Sequence, residues 1–86
     1  MASYNIEWRK SAEKEFQKLP KRDKAALIDR ILDLGNNPRP VGYKKLEGIS
    51  GTYRIRYGNF RVLYQIEDGV LIVLIVKVSH RKDVYR

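Results

Sequence analysis

The two-residue segment Gly58-Asn59 constrains the fold more than any other feature of the sequence. It separates two runs in which apolar and basic residues alternate, and Gly and Asn tolerate the positive φ that the shortest hairpin turns require. A two-residue loop fixes the register of the strands it joins, so we expect Arg56 to lie opposite Arg61. Opposite residues share a face of the sheet. The apolar face should hold Tyr53, Ile55, Tyr57, Phe60, Val62 and Tyr64.

The other face of the same hairpin should be basic. Arg54, Arg56 and Arg61 fall on it with no acidic residue between them. Placing Arg56 against Arg61 should cost roughly 0.2–1 kcal/mol in an isolated sheet. Such a pair favours an anion site, with an RNA phosphate as the leading candidate, over the alternative of an ordinary solvated basic face.

Composition limits the kind of protein and its partners. The chain has 86 residues, a net charge of +8 and no cysteine, which predicts one domain over residues 1–86 in a reducing cytoplasm. The charge favours nucleic acid or an acidic protein as partner. A membrane is not expected, because no signal-peptide pattern opens the chain and its longest apolar run, residues 70–76, is too short to span a bilayer.

Apolar periodicity predicts a strand and two helices before the hairpin. Residues 3–9 alternate as a strand does, and Ser11 is a plausible N-cap for a short helix that Pro20 ends. A second helix is expected from about Arg22 to Leu34. The helical apolar stripes would be Ala12, Phe16 and Leu19, then Leu27, Ile28, Ile31, Leu32 and Leu34.

The rest of the chain reads as a loop and an antiparallel meander. Residues 38–52 form the loop, with a brief strand at 44–46. After the hairpin, Asp68-Gly69 is expected to make a second two-residue turn, and residues 70–76 a central strand. The order β-α-α-β-β-β(-β) predicts an α+β fold in which two N-terminal helices pack on one side of a twisted, mainly antiparallel sheet.

The register across the second turn places a histidine. If Glu67 lies opposite Val70, then Arg61 lies opposite Val76. If that strand stays regular, Val78 and His80 share the face of the arginines. His80 would then sit at the mouth of the basic surface.

The residue types exclude several chemistries. The ten acidic residues are scattered, and there is one histidine, so a two-metal or histidine-rich metal site is not expected and no cofactor is predicted. No glycine-rich phosphate loop or serine triad is present. Metal-independent cleavage of RNA remains, because the 2′-OH supplies the nucleophile and arginines suit phosphate. Proton transfer would fall to His80, Tyr85 or a lysine, since arginine is too weak an acid.

Several segments together resemble the RelE family of the RelE/ParE toxin superfamily. They are residues 53–57, 60–64 and 78–85, the Phe16–Leu19 end of the first helix, and residues 45–48. The resemblance covers nearly the whole chain. It implies a RelE-like fold and a type II toxin that cuts mRNA in the ribosomal A site by 2′-OH attack, without metal.

The resemblance also implies partners and site residues. The partners would be the small ribosomal subunit with its rRNA, the mRNA, and a small acidic RelB-like antitoxin in a toxin–antitoxin hetero-oligomer. Position by position, the catalytic set would be Arg54, Arg56, Arg61, His80, Arg81 and Tyr85, with Arg61 on the phosphate and Tyr85 stacked on a base. Some relatives carry lysine where this chain has Arg54 and Arg56, so the general base stays open. Non-specific RNA attraction is expected from Lys44, Lys45, Lys82 and Arg86.

Two other functions remain open at this point. The first is a ParE-like toxin that inhibits DNA gyrase without cutting RNA. The second is a non-catalytic basic domain that binds rRNA or an acidic protein. The basic sheet face, together with His80, Arg81 and Tyr85, favours the mRNA interferase.

Overall fold

A five-stranded mixed sheet with two helices packed on it forms the protein, as expected for an α+β fold. The computed structural model describes residues 3–80. The strand order is β1-β5-β4-β3-β2, with β1 parallel to β5 and the other pairs antiparallel. The elements are β1 (Asn5–Trp8), α1 (Lys10–Gln17), α2 (Lys21–Asp33), β2 (Lys44–Lys45), β3 (Thr52–Tyr57), β4 (Phe60–Glu67) and β5 (Ile72–His80).

The start of α1 is set by the sheet rather than by a capping side chain. The backbone N–H of Arg9 donates to Ile75 O at 2.9 Å, while Arg9 O accepts from the N–H of Glu13 at 3.0 Å. Arg9 is therefore the last residue tied to the sheet and the N-cap of the helix. The prediction of Ser11 as N-cap is wrong, because the helix has already begun at Lys10. Within residues 3–80, neither helix has the length and apolarity to span a membrane.

The core lies between the helices and one face of the sheet. Tyr64 is fully buried at its centre. The second helix contributes most of its predicted stripe, but Leu32 is 54% exposed, so its assignment to the core is wrong. With about 3.6 residues per turn, a face centred on Leu27 and Ile31 turns Leu32 to the flank. The buried apolar residues are Ala12, Phe16, Leu27, Ile31, Leu34, Ile55, Phe60, Val62, Tyr64, Val73, Ile75 and Val78.

The hairpin has the register that its turn predicts. Arg56 pairs with Arg61 and Tyr53 with Tyr64. Gly58 has φ 58°, and Asn59 has no positive φ, which is the pattern of a type II′ turn with glycine at its first central position. The division into an apolar and a basic face is confirmed.

The connection between β4 and β5 differs from the prediction. Glu67 pairs with Ile72 rather than with Val70, so the turn is longer than Asp68-Gly69 and continues to Leu71. Leu71 takes a left-handed φ of 57°, a conformation that glycine or asparagine adopts more readily. No turn pattern in the sequence marks this residue.

A β-bulge in β5 then reverses which side chains face which way. Tyr64 pairs with Ile75, but its neighbour Leu63 pairs with Lys77, so Val76 is an extra residue in the ladder. Because side chains alternate along a strand, one extra residue exchanges the two faces beyond it.

His80 is therefore not on the basic face, and the predicted placement is wrong. It lies opposite Phe60, and the two rings meet edge to face with centroids 5.1 Å apart. Ser79, not Val76, lies opposite Arg61. The predicted pairing failed twice, first at the longer turn and then at the bulge.

The loop after α2 contacts the rest of the fold through Pro38 and Arg39. The buried Tyr64 hydroxyl donates to Pro38 O at 2.7 Å, and burial raises the pKa of Tyr64. Nearby, Arg39 pairs with Asp68 at 2.9 Å, and the Tyr4 hydroxyl donates to the same carboxylate at 2.5 Å. Hydrogen bonds from Arg39 and then Tyr4 lower the pKa of Asp68.

Replacing Tyr64 with phenylalanine tests the buried contact. Tyr64→Phe should lower the free energy of unfolding by about 1–3 kcal/mol, because it leaves Pro38 O without its donor in the core. Urea unfolding monitored by tryptophan fluorescence measures the loss. Tyr43→Phe is the control, since Tyr43 is 37% exposed. An equal effect of both variants would contradict the assignment.

Removing the charge of Asp68 tests the exposed network. The folded state favours the ionised form of Asp68. Its contribution to the free energy of unfolding is therefore fully present above the unfolded pKa of about 3.9, and it is lost as the pH falls through the lower pKa of the folded state. We expect Asp68→Asn to be less stable than wild type at pH 7, with the difference shrinking only below about pH 4. Unfolding curves over this pH range, beside Asp29→Asn on the exposed side of α2, measure it. A pH-independent difference would contradict the linkage.

Candidate functional site

Three guanidinium groups form the arginine face, defined here as Arg54, Arg56 and Arg61 on the side of the sheet away from the helices. Arg56 and Arg61 are directly opposite on β3 and β4, and Arg54 lies opposite Leu63. Arg56 is exposed, whereas Arg54 and Arg61 are half-buried. The hairpin turn sets this grouping, because it fixes the register that brings Arg56 and Arg61 together.

Arg54 is the least solvated charge of the group. Burial lowers the pKa of Arg54, and the positive charges of Arg56 and then Arg61 lower it further. Its Nε atom is buried and has no hydrogen-bond partner within residues 3–80. A buried donor without an acceptor destabilises the fold unless an acceptor arrives. An anion with several acceptor oxygens would relieve both the unpaired donor and the repulsion.

Carboxylates do not neutralise this face in the part of the chain that the structure describes. The ion pairs between residues 3 and 80 are Arg39–Asp68 at 2.9 Å and Lys77–Glu15 at 3.0 Å. Neither includes an arginine of the arginine face. The positive potential there is thus left for an external partner.

Further polar residues lie on the same side of the sheet as the arginine face, and the sequence did not reveal two of them. Lys44 lies opposite Arg54, on the same face, but Lys45 lies opposite Tyr53 on the other. Beyond the bulge, Ser79 lies opposite Arg61 and Lys77 opposite Leu63. Only knowledge of the extra residue in β5 would have assigned Ser79 and Lys77 to this face.

Of the remaining predicted site residues, the structure describes only His80. His80 ends β5 on the opposite face, one residue after Ser79. Arg81, Lys82, Tyr85 and Arg86 lie outside the described residues.

A cleft opens beside Arg56 at the edge of β3. Its volume is about 330 Å³, and α2, the loop after it and β3 enclose it. Near the cleft, the Arg30 guanidinium lies 4.9 Å from the centre of the Tyr57 ring. The sequence analysis gave no indication of this cleft. Its lining residues are Arg30, Asp33, Leu34, Pro40, Val41, Gly42, Ile55 and Arg56.

Comparison with known proteins identifies the class. Residues 6–85 match the family described as ParE toxin of type II toxin-antitoxin system, parDE. The chain is 36% identical to Toxin RelG of Mycobacterium tuberculosis, over 96% of this chain and 97% of that protein. It is 31% identical to Toxin RelE of the same organism, over 96% and 87% of the two chains.

Solved structures agree with these sequence matches. The toxin–antitoxin complex RelBE2 of M. tuberculosis contains a chain with a TM-score of 0.83 at 34% identity, covering 94% of each chain. The isolated Escherichia coli RelE toxin gives a TM-score of 0.80 at 26% identity, covering 96% of this chain and 92% of that one. The fold and these relatives define a toxin of a type II toxin–antitoxin system. The chain belongs to the RelE family of the RelE/ParE superfamily.

The arginine face predicts a gain in stability when one of its charges is removed. Arg61→Gln should raise the free energy of unfolding by roughly 0.2–1 kcal/mol, because it removes like-charge repulsion across the hairpin. Thermal and urea unfolding at low ionic strength measure the change, and added salt should reduce it. Lys45→Gln is the control, because Lys45 lies opposite Tyr53. A loss of stability in Arg61→Gln would show that the charges are not in conflict.

Proposed function

We propose that this toxin is an endoribonuclease that cuts mRNA in the ribosomal A site and so stops translation. The cut would proceed without metal, by attack of the RNA 2′-OH on the adjacent phosphate. The observation that carries the proposal is the unpaired, buried Arg54 Nε beside two further arginines. The names of its RelE relatives support the same reading.

The arginine face would bind and stabilise the reacting phosphate. Arg61, with Arg54 and Arg56, offers planar donor groups that match phosphate oxygens, and negative charge increases on those oxygens in the transition state. These arginines would not move protons, because their pKa exceeds about 12. Their task is to hold the phosphate so that the 2′-OH attacks in line.

Proton transfer and base stacking are assigned to the end of the chain. His80 would transfer a proton, Arg81 would assist through its fixed positive charge, and Tyr85 would stack on a base of the message. Because His80 is on the other side of the strand from Arg61, the RNA would have to pass over the end of β5 for both to act on one phosphodiester. Sequence-independent attraction to RNA would come from Lys44, Lys45, Lys82 and Arg86.

A RelB-like antitoxin is the proposed protein partner. The RelE chains of M. tuberculosis and E. coli occur in solved toxin–antitoxin complexes. A small acidic antitoxin would be attracted by the net charge of +8 and would form a hetero-oligomer with this toxin. We propose that residues 1–86 act as one domain in the cytoplasm, on the small ribosomal subunit and its mRNA.

Mapping of message ends on programmed ribosomes tests the activity. Purified toxin should produce new 5′ ends within the A-site codon, read by primer extension. Toxin dialysed against a chelator before it is added to the ribosomes should cleave as well as untreated toxin. Arg61→Ala should reduce the single-turnover rate by roughly 10²–10³-fold, as loss of one stabilising donor does. Lys14→Ala, exposed on α1, is the charge-matched control. Intact message at saturating wild-type toxin would refute the proposal.

Inhibition of DNA gyrase is a second candidate, because the matching family is named for ParE toxins. A supercoiling assay with purified gyrase decides between the two. The endoribonuclease proposal expects no inhibition at toxin concentrations that cleave mRNA. Inhibition of gyrase together with intact message would establish the second function instead.

A further inference from the structure

The last strand loses its neighbour shortly before it ends. β1 pairs with β5 only from Asn5↔Ile72 to Trp8↔Ile75, and the final backbone contact is the bond from Arg9 N–H to Ile75 O. The bulge residue Val76 follows at once. From Lys77 to His80, β5 keeps β4 as its only neighbouring strand among the described residues.

A single carboxylate from α1 replaces the missing strand. Glu15 Oε1 accepts the backbone N–H of Val78 at 3.0 Å, and Glu15 Oε2 accepts from Lys77 Nζ at 3.0 Å. The residues in contact are 62 and 63 positions apart in the chain. A charged acceptor makes a stronger bond to a backbone N–H than a neutral one does. The Glu15 side chain is 33% exposed, so the pair is partly shielded from water.

This contact lies two residues before the histidine. Val78 and His80 are on the same face of β5, and β4 pairs with both through Val62 and Phe60. A strand end with one neighbour opens more readily than one with two. Holding the N–H of Val78 therefore holds the His80 ring against Phe60, where their centroids are 5.1 Å apart.

We infer that Glu15 is a positioning residue for the toxin's RNA chemistry, because it fixes the end of β5 and with it His80 and Ser79. The inference rests on the proposed endoribonuclease function. Glu15 touches neither the arginine face nor its expected phosphate. It acts through the backbone of Val78, in the place where a further strand would otherwise lie.

Cleavage kinetics of four variants test the role. Glu15→Ala removes both bonds, and Glu15→Asp keeps the charge but shortens the side chain, so each should lower the single-turnover cleavage rate by roughly 10–100-fold, as small misplacements do. The ribosome concentration for half-maximal rate should change little. Glu15→Gln keeps an acceptor for Val78 N–H and should recover most of the rate. Lys77→Met keeps the bond from Val78 N–H to Glu15 but removes the ion pair and one positive charge beside the arginines, and it should cost less than Glu15→Ala.

Controls separate positioning from charge and from folding. Glu13→Ala removes the same charge from the same helix without a bond to β5 and should cleave as wild type does. Thermal unfolding shows which variants are folded. If Glu15→Ala does not fold, Glu15→Asp decides. Equal rates for Glu15→Asp and wild type, or equal losses in Glu13→Ala and Glu15→Ala, would overturn the inference.

Nuclear magnetic resonance gives a readout that does not need the ribosome. The chain has one histidine, so its ring protons are assigned without ambiguity, and the edge-to-face contact with Phe60 shifts their resonances. In Glu15→Asp these shifts should move toward the values of an unstructured peptide, and the Val78 amide should exchange faster. Unchanged shifts would overturn the inference. If wild type does not cleave mRNA, the proposed function fails while this measurement still decides whether Glu15 holds His80.

Discussion

One extra residue in the last strand, Val76, determines how the two faces of this toxin are composed. Up to Ile75, β5 follows the alternation that its apolar run suggests, and Val73 and Ile75 point into the core. After the bulge the alternation is reversed, so Val78 enters the core and Ser79 joins the arginine face. A regular strand would have put Val78 on the polar side and Ser79 in the core. The bulge thus lets one strand complete the core at both ends while delivering polar groups to the site.

The reverse side of the arginine face is buried in the core, and this packing holds the arginines in place. Ile55 and Val62 lie back to back with the charged rows, and Tyr64 is both fully buried and bonded to Pro38. Aromatic contacts continue along that side, from Tyr43 to Tyr53 and from Tyr53 to Tyr64, with ring centroids about 6 Å apart. Within residues 3–80, the hairpin holds its repelling charges in place through apolar packing rather than through paired carboxylates. Unrelieved repulsion at a candidate site is a common compromise between stability and function.

The hairpin was predictable because its turn residues alone set its register. The second turn and the bulge in β5 were not, because they depend on contacts between residues distant in the sequence. Gly58-Asn59 is enough to pair Arg56 with Arg61, because a two-residue turn leaves one register. Asp68-Gly69 resembles a two-residue turn in the sequence, but the observed turn is longer because Leu71 adopts a left-handed φ. Asp68 also binds Arg39 and Tyr4, which are distant in the sequence. The bulge is stabilised where β1 ends and Glu15 begins to contact β5. Neither β1 nor Glu15 is near Val76 in the sequence, so no local sequence pattern predicts the bulge. The positions of the three arginines in the sheet were accordingly predicted, and that of His80 was mispredicted.

The parallel pairing of β1 with β5 affects the order in which the toxin folds during its synthesis. The strand nearest the start of the chain has its ladder partner at residues 72–75. During synthesis, β1 must wait while both helices and the hairpin emerge, and it pairs with its neighbour only after residues 72–75 have been made. Non-local pairing of this kind slows folding. Because Arg9 and Glu15 bind the backbone of β5 at Ile75 and Val78, the sheet of the nascent toxin stays incomplete until these residues have emerged.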